Sequence, residues 1–75
     1  MQLIITPKAQ KQYSKLPITE QLKIKRKLLL IEQDPLTGKK LSGEFSEIRS
    51  VRAWPYRIFY LIENKKNKIF IVTIT

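Results

Sequence analysis

The chain has 75 residues, with fifteen lysines and arginines against six aspartates and glutamates, a formal charge of +9. It has neither cysteine nor histidine, which excludes disulfides and removes the usual zinc ligands and the commonest general base. A chain this short makes one domain, residues 1–75, and buries only about 60% of the surface its unfolded form exposes, so its core is thin.

The opening "MQLIITPKAQ" lacks the basic start and long apolar run of a signal peptide. No segment approaches the roughly 18 apolar residues of a membrane span, and the expected location is the cytoplasm. The charge points to an anionic partner: nucleic acid, a ribosome-like surface or an acidic protein. No cofactor is expected.

In chain order, "QLIIT" is aliphatic and β-branched and reads as a strand, stopped by Pro7. Thr6-Pro7 is a helix start, a hydroxyl to cap followed by a proline whose missing N–H does no harm. "PKAQKQYSKL" then places Ala9, Tyr13 and Leu16 along one helical face, and Pro17 interrupts it. "ITEQLKIKRKLLLIEQD" predicts a second helix with Thr19 as its cap. Ile18, Leu22 and Leu29 lie on one side of it, and Ile24, Leu28 and Ile31 about a third of a turn away, together a wide apolar face for a sheet. Lys23, Arg26 and Lys27 take the remaining arc. Glu20 and Glu32 read as solvated or helix-dipole residues rather than a catalytic pair. Asp34-Pro35 ends the helix, because a residue before proline is pushed out of the α region.

"LTGKKLSGEFSE" reads as a loop. From Phe45 onward, "EIRSVRA", "YRIFYLI" and "KIFIVTIT" have strand composition and short connections, an antiparallel meander. The expected fold class is α+β, an antiparallel sheet with a helical hairpin on one face, in the order β-α-α-β-β-β. Of the tyrosines, Tyr13 and at least one of Tyr56 and Tyr60 belong to the core.

The candidate site is the hairpin "IRSVRAWPYRIFYLI", where Arg49, Arg52 and Arg57 crowd around one turn with no acidic residue between Glu47 and Glu63. If Trp54-Pro55 is a two-residue turn, Arg52 faces Arg57 across the strands and both side chains share a sheet face. Like charges so placed suit a phosphate between them, because guanidinium groups form paired, charge-assisted hydrogen bonds to its oxygens. In a three-residue turn the arginines would separate, and in either register they could instead splay into water or pair with Glu44 or Glu47. Trp54, at the turn tip, could stack on a base or pack against its own hairpin.

The short strand with its proline-started helix, the basic helix ending near "DP", and the run "KLSGEFSEIRSVRAWPYRIFYLI" followed by "KIFIVTIT" resemble the RelE/ParE toxin superfamily. The match centres on Leu41–Gly43, "IRSVR" and "YRIFY", and extends over essentially the whole chain. The resemblance implies a toxin of a toxin–antitoxin pair, held inactive by an antitoxin that is often acidic. It implies one of two targets. In the branch that cuts messenger RNA in the ribosomal A site, Arg57 matches the arginine that stabilises the transition-state phosphate and Arg52 a neighbouring basic position. Arg49, Lys39, Lys40, Arg26 and Trp54 would then grip nucleic acid. The other branch poisons DNA gyrase. The sequence departs from the RelE pattern at Ile48 and Ser50, where lysines are expected, and in stopping at Thr75, where a short basic segment with a tyrosine or histidine usually follows. Three readings follow: a ribosome-dependent mRNA endonuclease, a gyrase inhibitor without chemistry of its own, and an inactive binder of antitoxin.

Overall fold

The structure, a computed structural model, describes residues 1–45 and 47–75. Strand β1 (Gln2–Ile5) leads into helix α1 (Pro7–Ser14) and helix α2 (Ile18–Gln33). A 3-10 turn at Pro35–Thr37 precedes the two-residue strand β2 (Lys39–Lys40). Strands β3 (Ile48–Ala53), β4 (Tyr56–Glu63) and β5 (Lys68–Ile74) complete a sheet in the order β1-β5-β4-β3-β2.

The expected order of helices and strands is present, with two additions. Strand β2 forms inside the segment read as loop; two lysines carry no strand signal, and only their pairing with Arg49 and Ser50 makes them one. Ser46, also in that segment, lies outside the described residues. The sheet is also not wholly antiparallel, because β1 runs parallel to β5. The two helices carry the chain from β1 to β2 at the opposite edge, and β3 and β4 bring it back to β5, which supplies the long connection such a pairing requires.

Thr6 caps α1 as expected, its Oγ1 accepting the Ala9 N–H at 3.4 Å and donating to the Ile71 carbonyl at 2.7 Å. For α2 the expected cap is displaced: the helix begins at Ile18 with Pro17 in the capping position, and Thr19 lies inside the first turn. The Gln21 side-chain amide instead ties the hairpin together, donating to the carbonyls of Tyr13 and Leu16 at 3.2 and 3.0 Å. At the other end α2 stops at Gln33, and Asp34 leaves helical geometry (φ −139°, ψ 85°) before Pro35.

The helices cover one sheet face. Ala9, Ile24, Leu28 and Ile31 pack against Val51, Ala53, Ile58, Tyr60, Ile69, Ile71 and Ile74, with Tyr13, Leu16 and Tyr56 at the margin. Only half of the expected apolar face of α2 is therefore used. Ile18, Leu22 and Leu29 are 72%, 51% and 50% exposed, because the sheet meets the helix along the other stripe. Among the described residues no helix is long and apolar enough to cross a membrane.

Candidate nucleic-acid interface

The face of the sheet away from the helices is uncovered, and strand alternation puts Ser50 and Arg52 of β3 and Arg57 and Phe59 of β4 on it. The β3–β4 turn is the two-residue one: Ala53 pairs with Tyr56 and Arg52 with Arg57, and the Trp54–Pro55 peptide is cis. Direct opposition brings the two arginine side chains to roughly 5 Å at Cβ. Arg57 is held from its other side as well, its N–H donating to the Thr75 carbonyl at 2.7 Å and its carbonyl accepting the Thr75 N–H at 3.0 Å. The turn is anchored to α2 by the Lys23 ammonium, which donates to the Trp54 carbonyl at 2.8 Å while pairing with Glu20 at 2.9 Å. Lys23 thus reaches from the polar arc of α2 to the turn while its side chain remains partly exposed.

Two clefts meet at this arginine pair. One, of about 540 Å³, is lined by Lys39, Lys40, Ser42, Ser50, Arg52 and Arg57. Lys39 faces Ser50 across the ladder and so shares the arginine face. No lining residue is acidic, and among the described residues neither Arg52 nor Arg57 has a salt bridge. The second cleft, of about 310 Å³, runs from the same two arginines to Trp54, Pro55 and Phe59. Trp54 is 74% exposed, so its indole stands free at the tip rather than packing down. The combination offers cationic donors for phosphate beside exposed aromatic surface for a base.

The remaining candidates lie elsewhere. Arg49 is one residue out of phase with Ser50 and Arg52 and faces the helix side, opposite Tyr60. Its guanidinium donates to the carbonyls of Gly38 at 2.8 Å and Leu36 at 3.5 Å. It borders a separate cleft of mixed charge containing Lys40, Glu47, Glu63 and Lys65. Arg26 is exposed on α2, in the layer across the sheet from the arginine pair.

Sequence reasoning named Ser50 only as a missing lysine, passed over Ser42, and assigned one of Tyr56 and Tyr60 to the core, where Tyr60 lies, without foreseeing its hydrogen bonds. The phase of Ser50 with Arg52 was the available signal for the first; nothing local marked those hydrogen bonds. Burial is the main cause that holds the Tyr60 phenol above the ordinary value of 10.0; Asp34 adds to it, and the Gly38 N–H and Arg49 oppose it. Tyr60 therefore stays protonated, accepting the Gly38 N–H at 2.8 Å and donating to the Pro35 carbonyl at 2.6 Å.

A family described as the ParE toxin of the type II toxin–antitoxin system, parDE, matches residues 3–75. Comparison with curated proteins by sequence finds no match. Among solved structures, the chain is similar to the RelBE2 toxin–antitoxin complex of Mycobacterium tuberculosis, with TM-score 0.87, 24% identity, and coverage of 97% of this chain and 93% of that one. The isolated E. coli RelE toxin gives TM-score 0.85 at 24% identity over 97% and 80% of the two chains. A YoeB/ParE toxin from Agrobacterium tumefaciens gives 0.85 at 17% identity over 99% and 95%. At these identities the structural likeness concerns the fold.

Proposed function

The chain belongs to the ParE toxin family of type II toxin–antitoxin systems, and we propose that it acts in the cytoplasm on messenger RNA bound to the ribosome, cutting the strand, and that an acidic antitoxin restrains it. The observation that carries this reading is the unneutralised pair Arg52 and Arg57, set opposite each other on an open face beside Lys39.

In the proposed step the ribose 2′-hydroxyl gives its proton to water and its oxygen attacks the adjacent phosphorus. A 2′,3′-cyclic phosphate forms as the bond to the 5′-oxygen of the next nucleotide breaks, and that oxygen takes a proton from water. Arg57 and Arg52 hold the non-bridging oxygens and offset the charge that accumulates there, which needs no histidine. Neither moves the proton, since a guanidinium keeps its own protons at any physiological pH. Lys39 extends the cationic track and Trp54 offers a stacking surface beyond the phosphate. The antitoxin is proposed from the charge of +9 and from the likeness to a toxin solved with its antitoxin.

The test is primer extension on messenger from programmed ribosomes. The wild-type protein is expected to cut at A-site codons, and Arg57→Ala to lose about 100-fold or more in rate while still co-purifying with co-expressed antitoxin. Loss of antitoxin binding would make Arg57 a structural residue. Absence of cuts by folded wild-type protein would favour the second reading, inhibition of DNA gyrase, which the ParE family match supports. Its check is a supercoiling assay with purified gyrase.

A further inference from the structure

Lys39 and Lys40 border the arginine cleft from a strand of only two residues, held to β3 through its pairs with Ser50 and Arg49. So short a ladder at a sheet edge is marginal by itself. The loop leading into it is gripped from beneath by two side chains of the neighbouring strands. Tyr60 of β4 is fully buried, and its hydroxyl takes the Gly38 N–H and gives its proton to the Pro35 carbonyl. Arg49 of β3 donates to the carbonyls of Gly38 and Leu36. Both backbone polar groups of Gly38, its N–H and its C=O, are thus fixed by side chains distant in sequence. Gly38 is itself buried, and a Cβ there would stand 2.5 Å from the Tyr60 hydroxyl, so the approach is one only glycine permits.

We infer that Tyr60 and Arg49 are positioning residues, a two-part clamp on Gly38 that sets Lys39 and Lys40 on the rim of the phosphate cleft. The inference rests on the phosphate-binding reading for its purpose, though the clamp itself is a matter of hydrogen bonds already described. It gives Arg49 a task different from gripping nucleic acid: its charge is spent inside the protein so that two lysines are held outside it. The phenol suits the task because one oxygen serves as acceptor and donor at once, and phenylalanine, of the same shape, does neither.

The test uses the full chain and a fluorescein-labelled decauridylate as probe, at one low salt concentration. Tyr60→Phe and Arg49→Lys, the latter keeping the charge, are each made in the wild-type background and in one carrying Lys39→Ala and Lys40→Ala. Each is expected to weaken binding about 3- to 10-fold in the first background and less than about twofold in the second, since it acts through the lysines. Amide exchange should quicken in residues 38–41 and stay unchanged in α2 and β5. Equal losses in both backgrounds, or unchanged exchange at residues 38–41, would overturn the clamp. If Tyr60→Phe does not fold, Arg49→Lys decides alone, because that side chain is only half-buried. If the wild-type protein ignores the probe, or Arg57→Gln binds it equally well, the phosphate reading fails and exchange by itself judges the clamp.

Discussion

At Gly38 a single hydrogen in place of a side chain lets a strand residue touch the loop backbone. Substituting alanine there puts a methyl group into a space already filled by the Tyr60 ring, without any backbone penalty, since the position has no left-handed φ. The cost is therefore one of overpacking, about 1–3 kcal/mol, and on a chain this size a fall of roughly 5–20 °C in Tm, read by thermal denaturation. Gly43 offers the opposite case. A Cβ there meets nothing, but its φ of +72° lies in the left-handed region, so any strain would come from the backbone alone. The arginines separate by the same kind of one-residue distinction: Arg52 and Arg57 face outward as a pair, while Arg49, three residues earlier, is turned under the sheet.

At the scale of elements, α2 divides its aliphatic residues between two stripes that sequence periodicity joined into one. Ile24→Ala, at a fully buried position, should destabilise by about 2–5 kcal/mol, while Leu22→Ala, half exposed one stripe away, should change stability by less than about 1 kcal/mol. Urea unfolding of the two variants measures the difference directly. The start of α1 and the stop of α2 were legible because Thr6-Pro7 and Asp34-Pro35 act through local sterics and one hydroxyl, whereas the cap expected at Thr19 lies inside the first turn of α2. Which stripe of α2 would be buried was not legible, since that depends on where the sheet lies. The Arg52–Arg57 pairing was one of two registers left open by the sequence, and the two-residue turn of the structure selects it. By contrast β2 and the hydrogen bonds of Tyr60 are created by contacts between residues up to 25 positions apart, and no local pattern announces them.

For the whole molecule, charge and topology point the same way. The helices bury one sheet face and leave the other to the arginine cleft, so the cationic surface is an uncovered side of the sheet rather than an enclosed pocket. Binding of single-stranded RNA to it should weaken with salt, and Arg52→Gln should lower the slope of log affinity against log salt by roughly 0.7, the share of one phosphate contact. Filter binding between low and moderate salt supplies the slope; an unchanged slope would place the RNA away from this face.

The parallel pairing of β1 with β5 also governs when the molecule can exist. Gln2 and Ile5 find their partners at Lys68 and Ile71, near the opposite end of the chain, and β5 separates β1 from the rest of the sheet. During synthesis the first strand and α1, which pack on β5, must wait uncovered until β5 has left the ribosome, because contacts so distant in sequence cannot be made earlier. The arginine face is likewise unfinished until then, Arg57 lacking its outer backbone partner at Thr75. A nascent chain thus carries Arg52 and Arg57 before it carries the strand that finishes the face on which they stand.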